Sequence, residues 1–222
     1  MNDLVISTAY LGPIEYFAAI IKQNEITIDA GEHYIKQTYR NRCEIYAASG
    51  KLSLTIPVIK VNGNHTKIKD IRIAYSEQWQ KVHWRAIVSA YNQSPFFLYF
   101  RDDLEGFYMK KYDFLIDFNT EITETVLDML GCDVKIKISD DYIEDFGKTI
   151  PDLRNHFSPK KKNETKIPEY IQVFSDKHGF IPNLSIIDLL FNEGPNALEY
   201  LEGINFTDNN AGQMVTPKED IN

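Results

Sequence analysis

The chain has 222 residues, 43% of them hydrophobic and 25% charged, with a formal net charge of −8 at pH 7. That is the composition of a globular protein long enough to bury a sizeable core, and it excludes a disordered or fibrous chain. The acidic balance, with a pI near 5.2, opposes attachment to nucleic acid or anionic lipid, where binding is driven by neutralised phosphates. A local basic patch is still enough for one small anion, so the expected partner is a small anionic substrate. No apolar run approaches the roughly 18 residues of a membrane span and no signal-peptide pattern opens the chain, so a cytoplasmic location without membrane insertion is expected. Cys43 and Cys132 are far apart and lack CxxC spacing, which predicts reduced, packed thiols.

Leu4-Val5-Ile6 reads as a short apolar strand. From Pro13 to Lys22, Ile14, Phe17, Ala18 and Ile21 share one face at helical spacing, with Pro13 suited to a first turn. Glu25 to Asp29 alternates as a second strand, which completes a βαβ start and implies a parallel pair. Arg42–Ala48, Leu52–Val58 and Ile68–Ile73 are then strand-like, separated by Ser49-Gly50 and by Val61-Asn62-Gly63-Asn64, and predict an antiparallel meander. The period changes at Glu77: Trp79, Val82, His83, Ala86, Ile87, Ala90 and Tyr91 mark an amphipathic helix that stops before Ser94-Pro95. A further helix is expected over Pro95–Met109, another over Asp113–Leu130 stopped by Gly131, and a strand over Val134–Ile138. Arg154 to Lys166 shifts in composition and reads as a mobile surface loop. A helix follows at Ile186–Asn192 with Asn183 and Ser185 as caps, then one or two turns over Pro195–Leu201. The fold class is therefore α/β: a short parallel βαβ start, an appended antiparallel meander and helices packing the C-terminal half. One domain is expected over residues 1–206 and a polar tail over 207–222.

Two polar islands carry the chemistry. Tyr34 to Cys43 packs three cations, two amides and two phenols into ten residues. An unbroken strand there places Lys36, Thr38, Arg40 and Arg42 on one face, a set suited to phosphate or carboxylate. The same pattern also describes a solvated edge strand guarded by its charges. Arg40 and Arg42 are expected to face a pocket shared with Tyr10 and the Pro13 helix start, and replacing Arg40 with alanine is expected to leave stability nearly unchanged. Glu32-His33 precedes the block, and His33 is the best general-base candidate because imidazole exchanges protons near neutrality. His83 and Arg85 lie on the Trp79 helix, as core-facing or ligand-facing groups. Asn183 and Asp188, beside Ser185, read as helix caps or as ligand contacts. The five histidines show no metal-binding spacing, no nucleotide, hydride or serine-hydrolase fingerprint is present, and Cys43 is not expected to act as a nucleophile. No metal and no cofactor are expected.

The islands Tyr10-Leu11-Gly12-Pro13-Ile14-Glu15-Tyr16-Phe17, Gln37-Thr38-Tyr39-Arg40-Asn41-Arg42, Trp84-Arg85 with Ser94-Pro95-Phe96-Phe97, and Phe180 to Pro195 resemble the WbqC-like proteins of bacterial O-antigen and polysaccharide gene clusters. The resemblance spans about residues 4 to 202. It implies a transferase of surface-polysaccharide biosynthesis that moves an acyl or aminoacyl group, glycine in particular, to an amino sugar. On that reading Lys36, Arg40 and Arg42 hold phosphate or carboxylate, Tyr39 and Asn41 orient sugar hydroxyls, and His33 or Glu32 takes the proton of the attacking amine. The alternative is a non-catalytic module that binds a sugar nucleotide or a partner of a glycan pathway. The chain departs from the family at Ser7-Thr8-Ala9, where many members carry His-Gln-Pro, so chemistry assigned to that histidine does not transfer.

Overall fold

A computed structural model describes residues 3–144, 150–160 and 165–205. The chain opens with β1 (Asp3–Ile6), α1 (Ile14–Ile20) and β2 (Glu25–Ile28), and β7 (Lys135–Ile138) later returns to the same sheet. All three strands are parallel, in the order β1-β2-β7, with Leu4 opposite Ile26 and Ile26 opposite Ile136. On the outer side of β1, Val5 bridges Asp152 in parallel sense and bonds to Pro151 and Leu153, adding a short fourth run. Leu4, Val5 and Ile6 of β1 are buried in succession and Ile26 and Ile28 of β2 alternately, and the continuous run in β1 is that of a strand covered on both faces. α1 is buried along its whole length and packs on the later α6 (Ile186–Glu193) and α7 (Ala197–Glu202).

Between β2 and β7 lie the other elements that precede the sheet's completion. β3 (Arg42–Ala47) and β4 (Gly50–Thr55) form an antiparallel hairpin, and β5 (Val58–Ile59) pairs β6 (Arg72–Ile73). The expected meander is thus two separate two-stranded pairs. Its third strand over 68–73 is mostly a 3-10 turn at Ile68–Asp70, because the N–H groups of Ile68 and Lys69 bond instead to the carbonyls of Glu32 and Ala30. The predicted strand through Tyr34–Asn41 is also absent. That segment is a series of turns, with Gln37 at φ +59° and the Thr38 hydroxyl donating to the Ile35 carbonyl at 2.8 Å.

The helices α2 (Trp79–Tyr91), α3 (Phe97–Glu105) with a 3-10 turn at Gly106–Tyr108, and α4 (Leu115–Leu130) follow the apolar periods, while the short α5 (Ser175–His178) has no apolar residue and was not expected. Gly131 ends α4 at φ +72° and its N–H bonds back to Asp128, the left-handed stop that glycine adopts without a Cβ penalty. The expected surface loop at Arg154–Lys166 is corrected: Leu153, Arg154, Phe157 and Thr165 are buried, while 161–164 and the expected tail at 207–222 lie outside the described residues. Among the described residues no helix is long and apolar enough to cross a membrane.

Gly194 ends α6 at φ +55°, and a Cβ there would lie 2.4 Å from the Phe96 ring. Gly194→Ala is expected to destabilise the protein by about 2 kcal/mol or more, from overpacking and an unfavourable backbone region, measured as a lower urea midpoint at unchanged slope.

Candidate active site at the carboxyl edge of the parallel sheet

The chain leaves β1 at Ser7, β2 at Asp29, β7 at Ser139 and the fourth parallel run at Arg154, so all four residues emerge at one edge of the sheet. Open parallel sheets bind ligands at that edge, beyond the carboxyl ends of the strands. Asp29 organises the exit of β2: its Oδ1 accepts the N–H groups of Gly31 at 2.9 Å and Glu32 at 3.1 Å. This tight turn swings Glu32 back over the edge, where Arg40 meets it in a two-pronged pair, Nε to Oε1 at 2.8 Å and Nη2 to Oε2 at 2.6 Å. The two side chains are only 3% and 6% exposed. Arg40 Nη2 also donates to Ser7 Oγ at 2.6 Å and to the Arg154 carbonyl at 3.1 Å, and the Ser7 hydroxyl donates to that same carbonyl. From α4, Asn119 Nδ2 donates to the Arg40 carbonyl at 2.7 Å. Arg154 forms a second buried centre, with Nη1 2.5 Å from Asp29 Oδ2 and Nη2 2.7 Å from Asp152 Oδ2.

A cleft of about 480 Å³ opens over these pairs, lined by Gly31 to His33 and Ile35 on one segment, by Lys67, and by Tyr142 and Arg154-Asn155. Lys67 is placed there by a bridge to His33, with the Tyr34 N–H bonded to the Thr66 carbonyl at 2.9 Å. His33 is exposed, its ring 5.7 Å from that of His65. Burial raises the Glu32 carboxyl above the usual carboxylate range, and the Arg40 guanidinium opposes that rise. Each Glu32 oxygen accepts one hydrogen bond from Arg40. Among the described residues no three metal-binding side chains gather.

The sequence candidates divide. Glu32, His33 and Arg40 come together here. Lys36 is exposed, and Arg42 is half-buried on β3 with Nε 3.3 Å from Thr55 Oγ1, so the two do not share a strand face with Arg40. Asn41 clamps Ile56, donating from Nδ2 to its carbonyl at 2.8 Å, and the Tyr39 carbonyl accepts the Tyr10 N–H at 2.9 Å. Tyr10 turns away from the two arginines: its hydroxyl lies 3.0 Å from His83 Nδ1 and 2.8 Å from the Tyr108 hydroxyl, in the core. Cys43 is fully buried and burial raises its thiol pKa, which makes it inert rather than nucleophilic. Arg85 is exposed on α2. Asn183, at φ +56°, accepts the Glu15 N–H at 2.9 Å, and Ser185 donates to the Leu11 carbonyl instead of capping its helix. Asp188 is buried, its carboxylate held by Tyr91 at 2.8 Å, Gln172 at 2.9 Å and the Tyr170 hydroxyl, so it knots the C-terminal half together. Sequence reasoning missed Ser7, Asp29, Lys67, Tyr142 and Arg154. Ser7 follows the first predicted strand and Asp29 is the last residue of the second, positions that mark them; Arg154 had no such local signal.

Arg40→Ala is now expected to destabilise the fold by about 3–5 kcal/mol, since it strands Glu32 as a buried, unpaired acid. The neutral pair Glu32→Leu with Arg40→Met should recover much of that loss in denaturant unfolding. A second prediction concerns His83, whose pKa burial lowers to about 4, below the roughly 6.5 of an unfolded imidazole. The unfolded chain then binds the extra proton between those values, so the contribution of neutral His83 is complete above pH 6.5 and is lost as pH falls to 4. Unfolding free energy should drop relative to His83→Gln by about 1.4 kcal/mol per pH unit across that window. Buried Glu15, Glu32 and Asp188 are common to both proteins and cancel in this difference.

A model of the WbqC-like protein family matches residues 8–158 and 160–200. The chain is also similar to an uncharacterised protein of Mycobacterium tuberculosis, 27% identical over 225 residues that cover 89% of this chain and 96% of the relative. No solved structure matches. The match takes in Asp29, Glu32, Arg40 and Arg154 of the site, and the chain belongs to the WbqC-like protein family.

Proposed function

We propose that this protein is a transferase of bacterial surface-polysaccharide biosynthesis that carries an acyl or aminoacyl group, such as glycine, onto the amine of an activated amino sugar. The observation that carries the reading is the convergence of Ser7, Asp29, Ser139 and Arg154 at the carboxyl edge of the parallel runs, with Glu32 and His33 in the wall of the cleft beyond them. Family membership supports the same assignment. The chemistry runs as one exchange of bonds. The sugar's amine attacks the acyl carbon, the new C–N bond forms, the bond to the donor's leaving group breaks, and the amine proton passes to His33. Glu32, fixed in place by Arg40, supplies negative charge to hold the incoming amine, and orientation of two bound substrates supplies much of the acceleration. Lys67, rather than Lys36 or Arg42, is the cation at hand for an anionic group.

A second reading, a non-catalytic binding module, is favoured by one observation: the buried guanidinium groups of Arg40 and Arg154 are already paired with Glu32, Asp29 and Asp152. The two separate in a turnover assay with amino-sugar nucleotides and a panel of acyl and aminoacyl donors, read by mass. The transferase predicts an adduct on the amine, a loss of about 100-fold or more in His33→Ala, and full activity in Cys43→Ser. Binding without any adduct establishes the module instead.

A further inference from the structure

The wall of the cleft has a feature that the transfer chemistry does not use. The Tyr142 ring lies against the Arg154 guanidinium, 4.6 Å from cation to ring centroid, and Arg154 is itself anchored by Asp29 and Asp152. One face of the ring is therefore backed by a fixed cation, while the residue remains 49% exposed and lines the cleft. The backbone beneath it is fixed as well: a Cβ on Gly31 would lie 1.9 Å from the Tyr142 nitrogen, so the absence of a side chain lets the 141–142 peptide rest directly on the turn after β2. Lys67 lines the same cleft and is only loosely engaged. Its Nζ is 3.4 Å from Asp141 Oδ1, and the same carboxylate also holds Lys69 at 3.2 Å. Lys67 can turn to a ligand while Asp141 keeps a cation.

A rigid, half-open aromatic ring fits another flat ring, and a cation in the same cleft fits a phosphate. We infer that the cleft binds its substrate through a nucleotide, the base stacking on Tyr142 and the phosphate meeting Lys67. The volume of about 480 Å³ is in the range of small-molecule sites. This inference rests on the cleft being the substrate site, and it names the substrate as nucleotide-activated rather than free or lipid-linked sugar.

Calorimetric titration tests it with UDP, CDP and GDP beside two base-less probes, pyrophosphate and ribose 5-phosphate. A nucleoside diphosphate is expected to bind at least about tenfold more tightly than either base-less probe, the gain typical of one base stacked on an aromatic side chain. Tyr142→Ala and Gly31→Ala should each remove that advantage, Tyr142→Phe should keep it, and Lys67→Gln should weaken the nucleotide and pyrophosphate alike. Base-less probes that bind as tightly as nucleotides, with Tyr142→Ala unchanged, overturn the inference and leave the cleft as an anion site. Failure of every probe to bind overturns both the inference and the reading of the cleft.

Discussion

Arg40 and Glu32 are withdrawn from water together, and neither is stable there without the other. The pair does more than neutralise itself. Through Arg40 Nη2 it binds Ser7 at the end of β1 and the Arg154 carbonyl at the end of the fourth run, and through the Glu32 backbone it is continuous with the Asp29 turn that ends β2. Segments of the chain remote in sequence are thus fixed to one guanidinium. A buried ion pair is poor as a source of stability, since desolvation offsets most of the attraction. Its value here is positional: it sets which way Glu32 faces and keeps the loops at the sheet edge in one arrangement.

Charge at this edge is balanced rather than basic. Arg40 faces Glu32, and Arg154 faces Asp29 and Asp152, so neither buried guanidinium is left with its charge uncompensated. A site built this way holds its donors and acceptors fixed, and Lys67 is the lysine that lines the cleft beyond them. Ser7 joins the ends of two parallel runs in this network, because it accepts from Arg40 and donates to the Arg154 carbonyl.

What the sequence made legible was local. The apolar runs of β1 and β2 around a Pro-started helix define the parallel start, the period of α2 and α4 defines the helices, and Gly131 marks a helix end by a left-handed conformation that residues with a Cβ rarely adopt. The Tyr34–Cys43 island was legible as a polar cluster but not as a shape. Alternating charges imitate a strand, whereas the backbone there turns, with the Tyr34 N–H bonded to Thr66, the Tyr39 carbonyl to Tyr10 and the Asn41 carbonyl to Ile56. The burial of Arg40 depends on Glu32 eight residues away and on Ser7 at the far side of α1, contacts that no local pattern encodes. Arg154 was assigned to a surface loop because lysines follow it at 160–162, yet its carboxylate partner Asp29 lies at the end of a strand 125 residues earlier. Asp188 was legible as a polar residue within an apolar helix, but its role became clear only with Tyr91 and Tyr170 around it.

The central claim is that the molecule meets its substrate at the carboxyl edge of the parallel sheet. Hydrogen–deuterium exchange, read by mass spectrometry with and without a mixture of nucleotide-activated amino sugars, tests this most directly, because it locates contact without presuming chemistry. Protection is predicted in the peptides that carry Gly31–Ile35, Lys67 and Tyr142, with the helices α3 and α6 unchanged. Protection confined to those helices or to the β3–β4 hairpin, with the edge of the sheet unaffected, would contradict the account.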